Sequence, residues 1–88
     1  MMKIEPNMFR SALLNLFVVS KEEGKKSVVV IAGDLHRTVG GYPGPDHRMP
    51  ICCRIMREAM GTGDEVISEP PSGQGASLTV RYILPRDS

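Results

Sequence analysis

The chain of 88 residues contains no tryptophan and only four other aromatic rings, Phe9, Phe17, Tyr42 and Tyr82. Proteins that hold single-stranded nucleic acid stack successive bases on several exposed rings, so this scarcity disfavours that class. It also leaves the core to be built from Leu, Ile, Val and Met. Cysteine is limited to the adjacent pair Cys52 and Cys53. Neighbours on one helix project in different directions and are poorly placed to bridge each other, so two reduced thiols are the plain reading. Neither sign of charge is in excess: the net charge is +1, which gives no global attraction to nucleic acid or to a membrane surface. No apolar run reaches the length that spans a bilayer, and residues 1–9 lack the apolar stretch of a secretory signal. A cytoplasmic protein with no membrane partner is the expectation.

What remains is the composition of an ordinary folded domain, 41% hydrophobic and 24% charged. The length suits a single domain, 1–88, with a small core expected over residues 7–84.

Phe9, Ala12, Leu13, Leu16 and Phe17 recur at the spacing of one helix face, with Asn7 as the expected N-cap. Residues 20–26 are polar and read as a solvated loop turning at Gly24. Residues 27–39 carry two patterns. Three consecutive valines favour strand, while Val28, Ile31, Ala32, Leu35 and Val39 keep helical spacing behind Ser27 as a second N-cap. The expectation is a short extended start at the first valine or two, then helix to Val39.

Gly40-Gly41-Tyr42-Pro43-Gly44-Pro45 then stops any helix, because its prolines fix φ and push the preceding residues toward extended backbone. Pro50 suits a first helical position. From it Ile51, Cys52, Ile55, Met56, Ala59 and Met60 form an apolar stripe, with Cys53, Arg54, Arg57 and Glu58 on or near the other side, up to Gly61-Thr62-Gly63. Residues 64–69 and 77–84 read as strands. The second alternates Leu78, Val80, Tyr82 and Leu84 against Thr79, Arg81 and Ile83. Between them residues 70–76 form a flexible hairpin loop.

The expected fold is therefore α+β, three helices followed by a C-terminal β-hairpin. That order, from Asn7 to Leu84, resembles the winged helix-turn-helix family. The resemblance implies that the helix at residues 50–60 enters a groove of duplex DNA and that the hairpin tip at residues 70–76 touches backbone. A core strand at Val28–Ile31 would instead remove the three-helix order on which that geometry rests.

Basic residues gather where the resemblance asks for them. His47 and Arg48 stand before the helix at residues 50–60, Arg54 and Arg57 lie on its polar side, and Arg37 and His36 close the preceding helix. Arginine suits phosphate and guanine because its planar fork donates two parallel hydrogen bonds. The competing reading is a solvated helix face with ion pairs to Asp34, Asp46 and Glu58. His47, Arg48, Arg54, Arg57 and Gln74 are the expected nucleic-acid contacts. Tyr42 is expected to pack in the turn.

Other chemistry is weaker. Gly33, Asp34 and His36 match the short Gly-Asp-x-His pattern of two-metal phosphoesterases, but the further ligands that chemistry needs are missing. Adjacent cysteines lack the spacing of a zinc site, and Cys52 reads as a core residue beside a partly exposed Cys53. No set of acid, base and nucleophile stands out, so neither an enzyme nor a cofactor or metal is expected.

The rival function is a protein-interaction or homodimerising module of the same fold without DNA contact. An exposed apolar patch at Val29, Val30, Ile83 or Phe17 favours that rival. A basic stripe joining Arg48, Arg54, Arg57 and Arg81 favours DNA.

Overall fold

The structure is a computed structural model, which describes residues 4–40, 42, 44 and 48–85. Its elements run α1 (Pro6–Glu22), β1 (Ser27–Ile31), α2 (Ala32–Val39), α3 (Met49–Glu58), β2 (Glu65–Ser68) and β3 (Thr79–Ile83). The strands form one antiparallel sheet in the order β1-β3-β2. The three helices pack on one another, and α1 and α2 also pack against β1.

α1 starts at a proline, whose missing N–H is harmless in a first turn. Its N-cap is Glu5 rather than Asn7: Met8 donates its N–H to the Glu5 carbonyl at 3.0 Å, and the Glu5 N–H reaches back to Met8 Sδ at 3.2 Å. Phe9, Leu13 and Phe17 form the buried face, as their spacing requires. The helix continues through Ser20, which is buried, so the solvated loop is shorter than the polar run. Gly24 makes the turn into β1 at φ +81°, a conformation that strains any residue with a side chain.

The ambiguous stretch resolves into both of its patterns in succession. Residues 27–31 are strand and 32–39 are helix, so Ser27 is not an N-cap and Ile31 takes that place in extended conformation. β1 lies between helices and joins the sheet, which corrects the order of three helices followed by a two-stranded hairpin. The three helices survive because the chain turns into α2 directly at Ala32.

β3 is the central strand, and its alternation is realised: Leu78, Val80, Tyr82 and Leu84 are buried. Tyr82 ties sheet to helix. Its hydroxyl donates to the Met56 carbonyl at 2.7 Å, and its ring meets Phe17 edge-on at 4.9 Å. α3 closes the core with Cys52, Cys53, Ile55 and Met56. Each fully buried aliphatic or aromatic side chain in this set contributes roughly 1.5–3 kcal/mol.

Candidate nucleic-acid interface

The outward side of α3 is set by its inward side. With Cys52, Ile55 and Met56 held in the core, Pro50, Arg54 and Glu58 recur along the exposed side. Arg48 stands just before the helix and is exposed. His47 lies outside the described residues.

His36 fixes where α3 begins. Sequence places it at a polar helix end; the structure buries it completely. Its Nε2 accepts the Arg48 N–H at 2.7 Å, and its ring meets Phe9 edge-on at 4.9 Å. Tyr42 is half-buried beside it at 5.4 Å, in agreement with the packing expected of that ring, and the Arg37 guanidinium lies over the Tyr42 ring, 5.3 Å from its centroid. One imidazole thus joins α1, α2 and the start of α3. Asp34 points to solvent and pairs with Arg37 at 3.1 Å, so Asp34 and His36 do not share a site.

The loop between β2 and β3, expected to be flexible, is fastened to the helices. Arg57 donates to the Glu69 carboxylate and to the Gly73 carbonyl, both at 2.8 Å. The Cys53 thiol donates to the Gly75 carbonyl at 3.4 Å. Gly33 donates to the Ala76 carbonyl at 2.9 Å, and a Cβ on Gly33 would stand only 3.3 Å from Ala76. This close approach explains a glycine in the first turn of α2. Within the loop, Gly73 donates to Pro70, and the Ser72 hydroxyl donates to the Gln74 carbonyl. Gln74 is left exposed at the tip.

The same contact corrects Cys53, which is fully buried rather than partly exposed. Burial pushes the Cys52 thiol up to about 12, helped by the neighbouring Cys53. Burial raises Cys53 too, opposed by the Gly75 hydrogen bond and the Arg57 charge. Both remain neutral thiols, unsuited to nucleophilic attack.

Arg48 and Arg54 thus stand before and on α3, and Arg57 of the same helix reaches the loop that carries Gln74. Arg54 lies 3.9 Å from Glu58, which in turn lies 3.5 Å from Arg10. Arg81 is not part of this region. It projects from the sheet face opposite the helices, paired with Glu65, so the four-arginine stripe does not form. Glu69 and Gly73, the partners of Arg57, carry no sequence signal that marks them.

Two further surfaces are present. A groove of about 240 Å³ between α1 and α3 is lined by Leu13, Leu14, Phe17, Ile55 and Ala59, with Arg10 and Glu58 at its rim. Of the residues that would favour a protein partner if exposed, Val29 and Ile83 are exposed, with Ile31 and Ile67 beside them on the strands, and Val30 and Phe17 are buried. Among the described residues, no three His, Cys, Asp or Glu side chains are grouped to hold a metal ion, and no helix is long and apolar enough to cross a membrane. No protein-family model, curated protein or solved structure matches the chain.

Proposed function

We propose that this is a winged-helix-like domain that binds duplex DNA as a regulatory or accessory protein, with α3 facing a groove and the 69–78 loop beside it on the backbone. The observation that carries the reading is the Arg57 clamp. It joins the hairpin loop, which carries Gln74, to α3, which carries Arg54 and is preceded by Arg48. A preorganised surface loses less entropy when it docks. Arg57 itself, with both partners at 2.8 Å, serves as the positioning residue. Arg48 and Arg54 supply the contacts to phosphate or base edges.

The carboxylates nearby do not defeat this reading. Arg54 and Glu58 are both more than half exposed, and an exposed pair of this kind is worth about 0–1 kcal/mol. A phosphate, held by a charge-assisted forked hydrogen bond, displaces Glu58 readily. Binding is weak and depends on few ionic contacts, as a net charge of +1 requires.

Fluorescence anisotropy of a labelled random duplex, titrated at several salt concentrations, tests it. Two or three phosphate contacts give a slope of log affinity against log salt of about −2 to −3, and Arg54→Ala reduces its magnitude by about 0.9. No binding at low salt overturns the proposal.

The second reading, a protein-interaction module without DNA, is favoured by one observation. Val29, Ile31, Ile67 and Ile83 are exposed apolar side chains carried by the three strands, and apolar surface of this kind suits a protein partner. Failure of duplex binding makes it the leading account.

A further inference from the structure

The two edges of the sheet are built differently. β2 is four residues long, carries Glu65, shifts register between Val66 and Ser68, and is soon followed by Pro70 and Pro71. Short length, charge, a bulge and proline are the devices that keep an edge from pairing with another chain. β1, Ser-Val-Val-Val-Ile, is one residue longer and carries no charge, bulge or proline.

The register shows what that open edge offers. Leu84 donates its N–H to Lys26 and Ala32 donates to Leu78, so the even-numbered residues of β1 bond to β3. The N–H and C=O groups of Ser27, Val29 and Ile31 therefore point away from the sheet. Among the described residues, no strand pairs with that edge. Val29 is 54% exposed and Ile31 40%, and no charged side chain interrupts them.

We infer that β1 is the docking edge for a second copy of this chain, the two β1 strands pairing antiparallel about a two-fold axis at Val29. The axis sets Val29 against Val29 of the second copy and Ser27 against Ile31. These are the residues whose backbone groups point outward, so the edge is complementary to itself without a register shift. Pairing joins the two three-stranded sheets into one, and the exposed Val29 and Ile31 of both copies become cross-strand neighbours.

This inference is independent of DNA binding, and so is its test. Sedimentation velocity from micromolar to millimolar protein is expected to show a monomer–dimer equilibrium. Val29→Lys places two ammonium groups across the axis and is expected to raise the dimer dissociation constant about tenfold or more, with the circular dichroism spectrum and melting temperature kept. Mixing Val29→Lys with Val29→Glu restores association as a mixed dimer. In a second arm, oxidised Val29→Cys cross-links copies, because paired strand positions of this kind lie about 5.5 Å apart at Cα, within disulfide reach. Ile67→Cys at the other edge does not. A wild-type protein that stays monomeric throughout overturns the inference. So does a dimer that survives Val29→Lys, failure of the mixed pair to associate, or equal cross-linking at Ile67.

Discussion

Replacing Tyr82 by phenylalanine removes one oxygen atom and tests how sheet and helices are held together. The hydroxyl donates at 2.7 Å to the Met56 carbonyl in a fully buried setting. That carbonyl belongs to the last turn of α3, where the Met60 N–H goes instead to Arg57, so within the helix backbone it has no N–H donor four residues on. The aromatic contact with Phe17 survives in the variant, which isolates the hydroxyl. A hydrogen bond of this kind contributes about 1 kcal/mol net, and a buried acceptor left without its donor costs about 1–3 kcal/mol. The expected loss is about 2 kcal/mol. In a domain of this size each kcal/mol moves the melting temperature by about 4–8 °C, so the midpoint falls by roughly 10 °C. Urea titration of both proteins, with the slope of free energy against denaturant unchanged, measures it directly. A loss below about 0.5 kcal/mol refutes the reasoning, because it places that carbonyl in contact with water.

Two further predictions concern the neighbourhood of α3. The Cys52 thiol, raised from 9.0 to about 12 by burial, holds its proton in the folded state after the unfolded chain has lost it. Stability therefore falls as pH rises above 9, by up to about 1.4 kcal/mol per pH unit from this group. Urea titrations between pH 9 and 11 are expected to show a shallower fall in Cys52→Ala, and parallel curves refute the assignment. Arg57→Ala frees the hairpin loop, with a loss of about 0.5–1.5 kcal/mol. Hydrogen exchange at Gly33, Gly73 and Leu78 is expected to quicken while the core of β3 stays protected; unchanged exchange shows that Arg57 is not the clamp.

The alternation of β3 and the stripe of α3 are legible because each turns one apolar face into the core. Val28 to Val39 is harder. Val30 in a strand, then Ala32 and Leu35 in a helix, all enter one core, so two periodicities abut without a polar break. Cys53 and His36 are misread for a different reason. Both lie beside residues correctly placed in the core, and what buries them is distant in sequence: the loop carrying Gly75 returns to cover Cys53, and Phe9 of α1 covers His36. A helix covered on a second side buries residues beyond its apolar stripe, and the periodic pattern does not mark them. The basic residues of the candidate interface are visible as residue types. Their division of labour is not, since Glu69 and Gly73 make Arg57 a clamp only through a contact across the hairpin.

Whether α3 meets DNA is the central claim, and chemical-shift mapping tests it most directly. Isotope-labelled protein titrated with a short random duplex at low salt is expected to shift amides of residues 48–58 and 72–76, and the shifts recede as salt is raised. Shifts confined to β1 and the outer sheet face, or no shifts at low salt, contradict it.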